Sequence, residues 1–113
     1  MRVWAKGLLC LEAAVGLLIG TGTWLYRQDF LDAAVEVITE PGREMAFVDF
    51  TAAADALAAG DLPCSPGERA VLQVAAGIAA GCPVNLEDAL TSMDAASAAR
   101  VADAVLHAAG ARR

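Results

Sequence analysis

The stretch that decides the fold is Leu62-Pro63-Cys64-Ser65-Pro66-Gly67-Glu68-Arg69. Ser65 is a favoured N-cap residue, Pro66 fits the first helical position, and Glu68 can return a hydrogen bond to the backbone of the cap. Apolar residues then recur at helical spacing until Gly81, which predicts a helix over residues 66–80. Folding alone explains this pattern, so it indicates architecture and no particular chemistry.

Similar capping signals divide the remaining chain into short helices. Ser, Thr, Asp and Asn before an apolar periodic run mark helix starts, and glycine after such a run marks its end. The predicted caps are Thr23 for a second helix, Asp49 or Thr51 for a helix that ends at Gly60, Asn85 for a helix through Met93, and Asp94 for a helix over residues 95–109 whose Ala98, Val101, Val105 and Leu106 face inward.

The pattern of residues 4–20 predicts a first helix that is apolar on nearly every side, with Leu8 among the residues at a/d spacing. Its polar or small strip consists of Glu12, Gly16 and Gly20, spaced four residues apart. A helix of this kind lies at the centre of a bundle or contacts a partner, and the glycines let another backbone approach closely. The strip is therefore a candidate partner interface.

The segment that follows is open between two interpretations. The spacing of its apolar residues favours a helix over residues 24–37 and a short extended piece at 45–49. The alternative is a β-hairpin that pairs residues 36–40 with 44–50 around Pro41-Gly42, because β-branched and aromatic residues are frequent there.

Charge is distributed unevenly along this acidic chain, whose net charge is −6 at pH 7. Residues 29–61 contain eight acidic residues and one arginine, a net charge of −7. Such a segment repels nucleic acid phosphates and anionic lipids and can bind a basic protein surface. The simpler interpretation is a solvated face that keeps an apolar protein soluble. The candidate partner residues in this segment are Asp29, Asp32, Glu36 and Glu40.

The cysteines and the N-terminus indicate a cytoplasmic protein. Cys64 and Cys82 flank the predicted 66–80 helix, about 20 Å apart at 1.5 Å per residue, which is too far for a disulfide, and Cys10 would be left over. Reduced thiols fit the cytosol. Glu12 interrupts the apolar N-terminal run, so we expect neither a signal peptide nor a membrane span.

Catalysis and metal binding find little support in the residue pattern. His107 is the single histidine, and it is predicted to lie in an exposed ion-pair stripe near a helix C-terminus. Cys64 precedes a helix N-terminus, where the pKa of a thiol can be lowered, so a cysteine-dependent enzyme is a third function hypothesis. No cofactor and no metal site are predicted.

The order and spacing of the last three predicted helices resemble those of the helix-turn-helix domains of sigma factors and response regulators. The predicted reading helix, however, offers Arg100 between Asp94 and Asp103, whereas a major-groove reader needs several Arg, Lys, Asn or Gln side chains. A helix-turn-helix regulator is therefore kept as the alternative function, and no nucleic acid partner is expected.

Residues 57–110 resemble a family of small actinobacterial proteins of uncharacterised function that share an LPCSxGE helix-start motif. Pro66 stands where that family's pattern leads us to expect glycine. Residues 13–27, with Trp24-Leu25, are similar to its N-terminal part. The resemblance implies no activity and no functional residue. The matching pieces are Ala58-Ala59-Gly60-Asp61-Leu62-Pro63-Cys64-Ser65, Gly67-Glu68, Ala75-Ala76-Gly77-Ile78-Ala79, Pro83-Val84-Asn85-Leu86, Asp88-Ala89-Leu90 and Ala104-Val105-Leu106-His107-Ala108.

The predicted fold class is mainly α, a compact single-domain bundle of four to six helices over residues 1–113. Its N-terminal helices occupy residues 1–44 and its C-terminal helical core residues 45–113, with a short β-hairpin around Pro41-Gly42 left open. The predicted function is a non-enzymatic protein-interaction module, such as an adaptor, inhibitor or immunity-like protein. Its expected partner is a protein with a basic surface or a second copy of the chain.

Overall fold

Six α-helices, one 3₁₀ turn and a two-stranded β-hairpin make up residues 3–111, the part of the chain that the computed structural model describes; the side chains of residues 3–7 and 45 lie outside that description. The mainly helical prediction is confirmed, and so is the short hairpin. The elements are α1 (Val3–Thr21), the 3₁₀ turn (Trp24–Tyr26), α2 (Gln28–Ala34), β1 (Val35–Glu40), β2 (Arg43–Val48), α3 (Phe50–Ala58), α4 (Pro66–Ala80), α5 (Leu86–Ser92) and α6 (Ala95–Ala108).

Helix α4 lies at the centre and begins as its capping box predicts. The Ser65 hydroxyl accepts a hydrogen bond from the Glu68 amide at 3.2 Å, and the Glu68 carboxylate accepts one from the Ser65 amide at 2.9 Å. The helix ends at Ala80, and the capping residue Gly81 has a left-handed φ of 70°, which favours glycine. α4 contacts α1, α3, α5 and α6. Its buried side chains are Ala70, Val71, Leu72, Val74, Ala75 and Ala76.

Small residues let α1 pack closely against α4 and α6. Ala13 and Ala14 are buried, together with Leu17 and Leu18, whereas Leu8 is 47% exposed although it follows the same helical spacing. On α6 the buried residues are Val101 and Ala104, and Val105 is exposed against prediction. Half of these buried residues are alanines, whose small side chains allow short distances between helix axes.

The prediction of a helix over residues 24–37 is wrong at both ends, because residues 24–26 form the 3₁₀ turn, Arg27 is extended and α2 ends at Ala34. There the chain changes to β1, which pairs antiparallel with β2 from Val35↔Val48 to Glu40↔Arg43. The Asp49 amide donates to the Ala34 carbonyl at 2.6 Å and closes the base of the hairpin. β-Branched residues at positions 35, 37, 38 and 39 lose less side-chain entropy in a strand than in a helix.

Trp24 anchors the first half of the chain to α4. Its side chain is fully buried, and its Nε1–H donates to the Glu68 carbonyl at 2.9 Å. The ring lies 5.6 Å from that of Phe30, and the Arg27 guanidinium lies 4.6 Å from its centroid. Thr23 precedes this turn, but its side chain makes no capping hydrogen bond, so that cap prediction is wrong.

The interior defined by the described residues is apolar, and no polar or charged side chain among them is buried. Across the same residues, no helix combines the length and the apolar character needed to cross a bilayer.

Candidate protein-interaction surface

The hairpin presents apolar side chains to solvent. Val37, Ile38 and Phe47 are 60%, 48% and 39% exposed, although residues of this kind are common in protein interiors. Among the described side chains of the two strands, Val35 and Val48, at the base, pack against the core. The tip is the two-residue turn Pro41-Gly42, where the φ of 80° at Gly42 favours glycine. Beyond its base, the hairpin extends away from the helices.

The predicted acidic residues are exposed along α2 and β1. We call Asp29, Asp32, Glu36 and Glu40 the acidic face. The Arg27 side chain donates from Nε to Asp29 Oδ1 at 3.0 Å, and this hydrogen bond holds the pKa of that carboxyl below its usual range. The Asp32 carboxylate accepts a hydrogen bond from Gln28 Nε2 at 2.7 Å. Asp29 and Asp32 thus have partners within α2 and its N-terminal flank.

Glu12, Gly16 and Gly20 lie along a different surface, the seam between α1 and α6. His107 Nε2 lies 3.1 Å from Glu12 Oε1. A Cβ atom added at Gly20 would lie 3.1 Å from Arg100 Cδ, so this glycine lets the arginine side chain cross α1. The seam forms a groove of about 360 Å³. It is lined by Glu12, Ala13, Gly16, Leu17, Arg100, Asp103, Ala104 and His107.

The structure therefore divides the seven predicted partner residues into two groups. The four acids are exposed on the consecutive elements α2 and β1, whereas the other three lie along the seam with α6 within the same chain. Arg100, the arginine of the predicted reading helix, lies across Gly20 on α1. That α1 residues contact a partner stays a prediction.

The environment of Cys64 raises rather than lowers the pKa of its thiol. Burial is the main cause, because it disfavours the charged thiolate, and the nearby Glu68 carboxylate adds to the effect. Cys64 is half-buried, and His107 is engaged by Glu12 on the α1–α6 seam. The pKa of Cys64 is thus shifted in the direction opposite to the one that a cysteine-dependent enzyme would need.

A polar cavity of about 310 Å³ lies where α4 and α6 begin, and sequence reasoning missed it. Several of its polar groups already cap helices: Ser65 caps α4, and Asp94 accepts a hydrogen bond from the Ser97 amide at 2.8 Å. That bond holds the pKa of Asp94 below its usual range. Within residues 3–111, apart from the side chains not described, no three His, Cys, Asp or Glu residues are grouped as metal ligands.

No protein-family model matches the chain, and no curated protein or solved structure shows significant similarity to it. The resemblance to the actinobacterial family stays a prediction.

The apolar residues of the hairpin are the functional candidates that sequence reasoning missed. Their signal was present in the run of β-branched residues before Pro41 and the aromatic residues after Gly42. Helical spacing concealed it, because residues 31, 35 and 38 also fit the face of a helix. The candidate surface comprises the acidic face and these exposed apolar side chains of the same hairpin.

Proposed function

We propose that this chain is a non-enzymatic protein-interaction module, of the adaptor, inhibitor or immunity type, that binds a basic protein surface through its acidic face. The observation that supports the proposal is the hairpin itself, which exposes Val37, Ile38 and Phe47 among glutamates. Exposed apolar side chains rimmed by charge are typical of protein contact sites.

Charge gives the surface its selectivity. Residues 27–43 contain the four carboxylates of the acidic face and two arginines, a net charge of −2. Arg27 pairs with Asp29, and Arg43 lies opposite Glu40 in the hairpin. A basic surface is attracted over several ångströms and associates faster, whereas an acidic one is repelled. Because salt screens exposed charges with a Debye length of about 10 Å at 0.1 M, the association rate should fall as salt is added.

Apolar burial gives the contact its affinity. Each Å² of apolar surface removed from water contributes about 25 cal/mol, and Val37, Ile38 and Phe47 offer that surface without unfolding the core. The hairpin meets the helical core through its base, so a partner can cover both faces of the strands.

The test is charge reversal at three acids of the acidic face. We expect Asp32→Lys, Glu36→Lys and Glu40→Lys together to weaken capture of basic proteins from native lysate and to raise the Kd of the identified partner at least tenfold, about 1.4 kcal/mol. The matched control is Asp55→Lys, Asp61→Lys and Glu87→Lys, which changes the net charge equally at other exposed acids.

An equal loss of partner binding in both variants would show that net charge, and not the acidic face, causes the loss. Equal retention in both would show that the partner does not use the acidic face. Either outcome contradicts the proposal, and circular dichroism on both variants checks that the helices remain.

A further inference from the structure

The backbone of β1 has one edge occupied by β2 and one edge available. The Asp49–Ala34 hydrogen bond marks a hydrogen-bonded pair at the base of the ladder. Since hydrogen-bonded and non-hydrogen-bonded pairs alternate in an antiparallel ladder, the register makes Glu36 and Ile38 bond to β2. The amides and carbonyls of Val35, Val37 and Thr39 consequently point away from β2.

The two faces of β1 differ in chemistry. Successive side chains of a strand point to opposite faces, so Glu36, Ile38 and Glu40 share one face. The other face of β1 carries the uncharged residues Val35, Val37 and Thr39, and Glu44 of β2 lies opposite Thr39 on that side of the hairpin. A strand added beside β1 would therefore place alternate side chains next to carboxylates and next to β-branched side chains.

A two-stranded sheet is marginally stable in water and gains stability from a third strand. Of the two free edges, that of β1 favours a basic occupant, because β1 carries two glutamates and no basic residue, whereas the charges of Arg43 and Glu44 on β2 cancel. A second copy of this chain is disfavoured at the same edge, because its own β1 would bring the same carboxylates into contact.

We infer that the basic partner binds as an extended strand along the free edge of β1, with Lys or Arg on the face of Glu36 and Glu40 and apolar residues on the face of Val35 and Val37. This inference rests on the proposed function and specifies how the partner is recognised. Main-chain hydrogen bonds at Val35, Val37 and Thr39 position the strand, and the alternating side chains select it.

The test uses a synthetic eight-residue peptide of alternating lysine and valine, with a glutamate–valine peptide as its control. Isothermal titration should detect binding of the lysine–valine peptide and at least tenfold weaker binding of the glutamate–valine one. Val37→Pro should weaken binding of the lysine–valine peptide at least tenfold, because it removes an outward amide while the bonds to β2 remain. The matched variant Val37→Thr keeps that amide and the β-branched shape, and should bind within about twofold.

Methylated peptides give a second test that does not depend on how Val37→Pro folds. Alternate amides of a strand point to the same side, so N-methylation of one alternate set should abolish binding and methylation of the other set should be tolerated. If both sets of N-methyl groups weakened binding equally, and if Val37→Pro bound the lysine–valine peptide as tightly as the wild type does, the peptide would be held by charge alone. That result would overturn strand addition. In that case the proposed function still stands, because it is tested separately by charge reversal.

Two further outcomes overturn the inference. One is that the lysine–valine peptide fails to bind at millimolar concentration. The other is that sedimentation shows a dimer which Val37→Pro dissociates, since the occupant of the edge would then be a second copy.

Discussion

Apolar side chains of the same kinds are buried on helix α4 and exposed on the hairpin. On α4, Leu72 and Val74 are buried among four neighbouring helices. On β1, Val37 and Ile38 are exposed, and the strand pairs with a single neighbour. Apolar burial is what stabilises a fold, so the stability of this molecule resides in the helices. Apolar surface that is available for binding lies on the hairpin, and also at single exposed side chains of other elements, namely Leu8, Ile19, Tyr26, Leu86, Leu90 and Val105.

The largest effect is expected when matched side-chain truncations in the two regions are compared for their effect on the free energy of unfolding. Leu72→Ala should lower the free energy of unfolding by about 2–5 kcal/mol, because it leaves a cavity in a fully buried site. Val37→Ala removes apolar surface that is already in water and should change the free energy by less than about 0.5 kcal/mol. Urea unfolding of both variants measures the difference. Comparable losses would mean that the hairpin is part of the core.

The start of α4 offers a smaller effect with its own control. Ser65→Ala removes the hydroxyl that accepts from the Glu68 amide and should cost about 1 kcal/mol. Thr23→Ala changes a hydroxyl residue at a helix start that makes no capping bond, so its unfolding curve should overlay that of the wild type. If Thr23→Ala were as destabilising as Ser65→Ala, capping would not be the reason that α4 begins where it does.

Gly42→Ala separates the stability of the hairpin from that of the helices. Alanine at the φ of 80° found at Gly42 costs about 1 kcal/mol. This cost is large relative to the stability of a two-stranded hairpin and small relative to that of the helical core. Hydrogen exchange should show faster exchange of the Ile38 amide and unchanged exchange of the Leu72 amide, because regions of low stability open on their own. A parallel acceleration at Leu72 would show that the two regions unfold together.

The smallest effect is pH-dependent and lies at the start of α6. The hydrogen bond from the Ser97 amide lowers the pKa of Asp94, so the ionised cap stabilises the folded state above the unfolded pKa of about 4. This stabilisation is lost as the pH falls through the lowered folded-state pKa. Asp94→Asn keeps a cap that does not titrate, so its stability relative to the wild type should rise below about pH 4. A constant difference between pH 7 and pH 3 would contradict this assignment.

Local signals in the sequence predicted the helices that begin with a capping residue. Ser65, Asn85 and Asp94 each accept a hydrogen bond from an amide three residues later, and such caps need no distant partner. The end of α2 could not be predicted in the same way. Whether residue 35 continues the helix or starts a strand depends on the pairing with Val48, and both alternatives satisfied the local pattern.

The candidate surface was predictable in composition but not in arrangement. The run of acids from Asp29 to Glu40 indicated exposure, and these residues are exposed. Their division between a helix and a strand, with valines on the opposite face of β1, follows from the hairpin. The meeting of Gly20 with Arg100 depends on how α1 and α6 pack, and the spacing of neither helix contains that information.

The closure of the hairpin by the Asp49–Ala34 bond makes its length adjustable. Two residues could be inserted into each strand next to the Pro41-Gly42 turn, so that the two insertions lie opposite each other. Every existing side chain would then keep its face of the sheet. The ladder would then reach farther while Ala34 and Asp49 stayed joined. Protein engineers could in this way lengthen the strand ladder or exchange its tip as a cassette on an unaltered helical scaffold.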